Sequence, residues 1–229
     1  MTAIRIVSLI PSVTESLLAW GITPIAVTRF CEQPSLRNVG GTKDPDIAAI
    51  VALAPDLVVM NDEENRREDA EALATAGISL HITHVHAVDD VLPCLNALAH
   101  AVGRSHLPLP VARLARERPI WRRAFVPIWR RPWMTINADT YGASILRCMG
   151  IDTVFATAAD RYPVVAIDEV AALRPDLVLL PSEPYPFTLR HIEEFTDTAA
   201  TVLLVDGKDL FWWGTRTAAA VERLARVLG

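Results

Sequence analysis

The sequence predicts an α/β protein of two similar Rossmann-like lobes, each with a parallel sheet, on three observations. Residues 47–59 recur as residues 167–179, so that Ile47 maps onto Ile167 at a spacing of 120 residues. Each copy reads as a short amphipathic helix, a Pro-Asp break (Pro55-Asp56, Pro175-Asp176) and an aliphatic run of the kind found in buried parallel strands. Residues 8–21 and 135–150 share a looser order of strand end, loop, helix and glycine. Finally, strands alternate with helices at a spacing that makes βαβ units.

Taken in order, Ile6-Val7-Ser8-Leu9-Ile10 reads as the first buried strand. Ser12 or Thr14 is the expected cap of a helix running to Trp20, with Gly21 ending it. The first copy of the repeat follows. Asp89 or Asp90 then opens a helix through Leu95, Leu98 and Val102 that stops at Gly103. Pro108 or Pro110 opens a second helix, Val111 to Arg118, which ends before Pro119. In the second half Asp139 or Thr140 caps a helix closed by Gly150, and the second copy of the repeat follows. The expected boundaries are an N-terminal α/β lobe at 1–90, a short helical linker at 91–118 and a C-terminal α/β lobe at 119–229. A helical linker holds two lobes in a nearly fixed relation, and ligands of open α/β sheets bind beyond the carboxyl ends of the strands. A cleft between the lobes is therefore the expected site.

Composition narrows the function classes. With 51% hydrophobic and 21% charged residues, the 229-residue chain is of ordinary globular type. Its 22 basic and 27 acidic residues leave a formal charge of −5, so no global field draws nucleic acid or an anionic membrane. Cys31, Cys94 and Cys148 are an odd, scattered set, which argues against a disulfide framework or a structural zinc site. No apolar run reaches the ~20 residues of a membrane span. The first residues lack the shape of a secretory signal, so a cytoplasmic location is expected if Met1 is the native start. If a leader preceded it, the expectation becomes periplasmic or cell-surface.

The candidate ligand residues lie on loops. Four of the six tryptophans fall in two arginine-bearing segments, Trp129-Arg130-Arg131-Pro132-Trp133 and Phe211-Trp212-Trp213-Gly214-Thr215-Arg216. Neither reads as core, and together they suit a large, flat, partly anionic ligand. Ser182-Glu183-Pro184-Tyr185-Pro186-Phe187 is a proline-stiffened loop that sets Glu183 and Tyr185 at defined angles. Its counterpart holds Glu63. Gly40-Gly41-Thr42-Lys43 lacks the spacing of a phosphate loop and reads as a tight turn. Cys31 is a packed apolar residue more readily than a metal ligand. His81, His84 and His86 do not share one strand face and read as a strand end and its loop rather than a zinc site. No GxSxG, HExxH or complete GxGxxG is present, so catalysis has no anchor; an enzyme reading would fall to Glu183, Cys31 or Asp139.

Ser8-Leu9-Ile10-Pro11-Ser12-Val13-Thr14-Glu15, Leu53-Ala54-Pro55-Asp56-Leu57-Val58 and the region from Asp209 to Arg216 resemble the helical-backbone (class III) substrate-binding proteins of ABC importers. Phe30-Cys31, Val39-Gly40-Gly41-Thr42-Lys43, Glu63-Glu64-Asn65, Trp129-Arg130, Ser182-Glu183-Pro184-Tyr185-Pro186-Phe187 and Trp213-Gly214-Thr215-Arg216 are most similar to a leaderless, cobalamin-binding-like branch. The resemblance implies two lobes joined by a linking helix, here shortened, and a metal chelate as ligand: cobalamin or another corrinoid, haem, or a siderophore. It implies cleft aromatics at Phe30, Trp129 or Trp133, and Tyr162, with Asp209 and Arg216 near the ligand's polar edge. The expected ligand contacts are thus Phe30, Cys31, Thr42, Glu63, Trp129, Arg130, Trp133, Tyr162, Glu183, Tyr185, Asp209, Trp212, Trp213 and Arg216. No catalytic residue and no protein-held metal are expected. The implied partners are the small molecule and, if the protein is exported, an ABC permease; the acidic permease-docking position falls near Arg67, with Glu68 adjacent.

Overall fold

A computed structural model describes residues 4–104 and 118–229. Their contacts divide them into two units. The first holds residues 4–85, 90–104 and Trp213–Thr215, and the second holds residues 86–89, 118–212 and 216–229.

The first unit is built from β1 (Ile6–Ser8), α1 (Pro11–Ala19), β2 (Ala26–Val27), β3 (Arg37–Asn38), α2 (Ile47–Ala52), β4 (Leu57–Asn61), α3 (Arg67–Thr75), β5 (Leu80–Thr83) and most of α4 (Val88–Ala101). Its strands form one parallel sheet in the order β3-β2-β1-β4-β5. Val7, Leu9, Ile50, Val58, Met60 and Leu73 make its core. The second unit contains β6 (Arg122–Phe125), β7 (Trp133–Met134), α5 (Tyr141–Arg147), β8 (Ile151–Thr153), β9 (Val164–Val165), α6 (Ile167–Ala172), β10 (Leu177–Pro181), β11 (Thr201–Val205), α7 (Gly207–Phe211) and α8 (Thr217–Leu228). Its main sheet is parallel in the order β11-β10-β6-β8, beside an antiparallel β7-β9 ribbon. Phe125, Val170, Val178, Leu180, Phe187 and Phe195 form its core. Both sheets are thus of the expected α/β kind.

The duplicated segment folds alike in both units, as α2–β4 and α6–β10, and the likeness extends to hydrogen bonds. The backbone N–H of Arg5 donates to Asp56 Oδ2 at 2.7 Å, and that of Arg123 donates to Asp176 Oδ2 at 2.7 Å. The Arg5 guanidinium reaches the carbonyl of Leu53 and the Arg123 guanidinium that of Leu173, the two helix C-caps. The Pro-Asp break therefore brings the aspartate to the start of the neighbouring strand, while the arginine at that point, just before β1 or within β6, satisfies a helix-end carbonyl.

Local expectations fared unevenly. Thr140 caps α5 by accepting from the N–H of Ala143, and Gly150 follows it at φ 76°. The cap of α1 differs: Ile10 occupies the position, Pro11 fills the first helical place, and no side chain caps. Thr14 lies too far inside the helix; its hydroxyl turns back to the Ile10 carbonyl and to Ser8. Pro11 needs no N–H acceptor, which lets an aliphatic residue stand at the cap. The helix expected to open at Asp89 or Asp90 is α4, which already begins at Val88 and so holds both aspartates within it, whereas residues 111–117 of the second linker helix lie outside the described residues.

Candidate ligand-binding site

Each sheet has one place where the chain leaves in opposite directions from adjacent strands. In the first unit the chain goes from β1 towards β2 and later returns to β4 on the other side of β1; in the second it goes from β6 to β8 and returns to β10. The loops at the carboxyl ends of such a pair splay apart and leave a crevice.

In the second unit those loops carry Trp129 and Tyr185, each four residues beyond the end of its strand. The rings meet edge to face at 5.6 Å between centroids, and Trp129 stays 46% exposed. Behind them Tyr185 packs on Phe187 at 4.7 Å and edge-on to His191 at 5.8 Å. Trp133 stacks on Phe187 at 6.0 Å with 5° between planes and abuts Phe195 at 5.2 Å. Arg130 is held by Glu194 through two hydrogen bonds of 2.9 Å, its guanidinium 5.9 Å from the Trp133 ring. This assembly offers an apolar face with a fixed cation at its margin, backed by core aromatics that limit its movement.

A second cluster forms at α7 and α8. The buried Asp209 carboxylate binds both Arg216 and Arg223. Burial by itself would raise that carboxyl, but the hydrogen bonds from Arg223 and Arg216 outweigh it and hold Asp209 below the usual carboxylate range. Lys208 and Arg216 lie over the Trp212 ring at 4.9 and 5.5 Å. Glu183 packs against Gly207, where a Cβ would come within 2.6 Å of Glu183 Cγ, so the two segments approach only because Gly207 lacks a side chain.

The first unit answers with polar chemistry. Asn65, four residues past β4, is buried; its side-chain oxygen accepts from the N–H of Asn61, and its amide donates to the carbonyls of Thr42 and Leu9. Lys43 Nζ donates to the Glu63 carbonyl at 2.6 Å. Thr42 and Glu63 are thereby drawn to the β1/β4 crevice. Phe30 is 50% exposed, with the Arg29 guanidinium 4.9 Å from its centroid. Next to it Cys31 is buried against the hydroxyls of Thr14 and Thr28, and burial pushes its thiol up despite those hydrogen bonds.

Trp129, Arg130, Trp133 and Tyr185 converge, Asp209, Trp212 and Arg216 form a second group, and Glu183 abuts α7. Tyr162 lies on the loop before β9, 38% exposed. Two corrections follow. Trp213 is only 3% exposed, and Trp133 leans into the core through Phe187 and Phe195, so neither tryptophan segment is wholly outside the interior. Sequence reading also passed over His191, Glu194, Arg223 and Asn65. Asn65 carried a signal, standing at the same 120-residue spacing from Tyr185; the others lie in amphipathic segments whose periodicity marks a buried face but not the distant partner of a polar residue. The groups named for an enzyme are poorly set for one. Cys31 is buried as a raised thiol, and Asp139 is held below the usual carboxylate range by the hydrogen bond from Arg161. No group of three or more metal-ligating side chains exists among the described residues.

No protein-family model matches the chain. A "Vitamin B12-binding protein" of Yersinia pestis (strain Pestoides F) is 25% identical over 194 residues, 77% of this chain and 69% of the relative. The crystal structure of the periplasmic vitamin B12 binding protein of Vibrio cholerae matches 97% of this chain and 95% of its own at TM-score 0.78 and 22% identity. The periplasmic heme binding protein of the same organism matches 99% of both chains at TM-score 0.79 and 20% identity. The fold is shared with these periplasmic binding proteins. The chain's sequence similarity is to vitamin B12-binding proteins. Among the described residues no helix is long and apolar enough to cross a membrane.

Proposed function

We propose that this helical-backbone protein binds a flat metal chelate, a corrinoid or a haem, without transforming it. The observation that carries the reading is the meeting of Trp129 and Tyr185 at the β6/β10 switch point with Arg130 fixed at their margin. An apolar macrocycle face suits the exposed indole, and its peripheral carboxylates or amides suit Arg130, Arg216 and Glu183. Phe30 and Tyr162, both partly exposed, are the further aromatic contacts, with Thr42 and Glu63 on the first unit's loops; the buried Cys31, held by Thr14 and Thr28, is not a contact. Asp209 acts by orienting Arg216, and Trp212 and Trp213 by shaping the loop between α7 and α8.

The relatives named above are vitamin B12- and heme-binding proteins, and the solved ones are periplasmic. Their periplasmic location supports an exported receptor and lends nothing to a cytoplasmic one; transfer of the ligand to an ABC permease is part of the same proposal. Titrating the purified protein with cyanocobalamin and with haemin, followed by visible absorbance and thermal melting, tests the binding. The expected result is a saturable spectral shift and a higher melting temperature with one of them. Neither effect at high excess of either ligand overturns the reading. Cell fractionation of the native host, probed with antibody, tests the location.

A further inference from the structure

The two units place different residues at equivalent points of their switch-point loops. Ser12 stands four residues past β1, as Trp129 stands four past β6. It occupies the first turn of the nine-residue α1, directly after Pro11. The amides of a first turn have no acceptor within their own helix, and α1 has neither a capping side chain nor an acidic residue there. The hydroxyl of Ser12 adds an independent observation: it is buried, and its oxygen has no hydrogen-bond partner. Buried hydroxyls are seldom left unpaired, and one that is calls for a partner that the protein itself does not supply. The rim carries a cation as well, because Asn65 ties the Leu9 carbonyl, just before α1, to that of Thr42, and Lys43 follows.

We propose that the first turn of α1, with the Ser12 hydroxyl and the amides of Ser12 and Val13, receives a carboxylate from the rim of the bound chelate. The helix dipole and Lys43 favour the negative charge, and Ser12 donates the hydrogen bond that its site otherwise lacks. The inference rests on the chelate reading for its physiological ligand, but not for its test.

Amide resonances of the full-length protein, followed by NMR during titration with succinate, read the carboxylate alone. The expected result is a saturable shift of the Ser12 and Val13 amides that weakens about tenfold in Ser12→Ala, the loss of one charge-assisted hydrogen bond. Because the substitution removes an unpaired hydroxyl, Ser12→Ala should melt no lower than the wild type. Absence of a shift at Ser12 and Val13, or an unchanged affinity in Ser12→Ala, overturns the site whether or not any tetrapyrrole binds. Haemin and its dimethyl ester then read the chelate: the wild type should favour the free acid about tenfold, and Ser12→Ala should narrow that preference. Equal affinities for acid and ester in the wild type also overturn the proposal. Failure of both tetrapyrroles alongside a positive succinate response leaves the anion site standing and removes the chelate reading.

Discussion

The two switch points are built on one scaffold and finished in opposite ways. At the first, Asn65 spends its side chain on three backbone groups and draws the β1 and β4 loops together. At the second, Tyr185, at the matching position, spends its ring on other rings, Trp129, Phe187 and His191, and its hydroxyl on the Arg130 side chain. A buried amide must satisfy its hydrogen bonds and so fixes backbone, whereas an aromatic contact tolerates a new ring sliding beside it. The duplicated helix and strand set where a loop begins, and the residue four places on sets what the loop does.

Four experiments break or sharpen that comparison. The largest effect belongs to the second unit's ion pairs. Asp209→Ala leaves two arginines without their shared carboxylate and should cost about 3–5 kcal/mol by chemical denaturation. The same group fixes an acid limb. A carboxyl held below its unfolded value stabilises above pH ~3.9, and that stability is lost as pH falls through the folded value. Melting curves of the wild type should therefore drop at acid pH, and those of Asp209→Asn should start lower and drop less.

Asn65→Ala should cost about 2–3 kcal/mol, because three backbone groups lose a buried partner, and hydrogen exchange at Asn61 should quicken. A loss below ~0.5 kcal/mol would mean that the polar finish of the first crevice is not structural. Asp56→Ala and Asp176→Ala should each cost about 1 kcal/mol, and the double variant should cost their sum, since the braces share no partner. Clearly unequal single effects would contradict the equivalence of the scaffolds. The smallest stability effect is expected at Trp129, which is nearly half exposed. Trp129→Ala should change stability by less than ~0.5 kcal/mol yet weaken chelate binding tenfold or more, read by absorbance titration. A large stability loss with unchanged affinity would move Trp129 from the ligand face to the core.

The duplication, the parallel α/β character and the tryptophan- and arginine-bearing loops were legible in the sequence, because repeat spacing and aliphatic strands are local patterns that burial enforces on every copy. The Thr140 cap was legible for the same reason, being settled within four residues. The α1 cap was not, since Pro11 and the Ser8 and Cys31 contacts of Thr14 outweighed local capping preference. Nor was the division of the aromatics. Trp129 and Trp133 sit in one short segment of the same composition, and only the positions of Phe187 and Phe195, more than fifty residues away, send one ring inward and leave the other exposed.

What sequence alone determined is therefore the pair of sheets and which loops stand at their carboxyl ends, through periodicity and repetition. The tertiary structure decided which side chains those loops spend on holding themselves and which remain for a ligand. That division depends on partners distant in the chain: Glu194 for Arg130, Arg223 for Asp209 and the backbone of Leu9 for Asn65. Such partners are specified by packing geometry, which no local pattern of residues encodes.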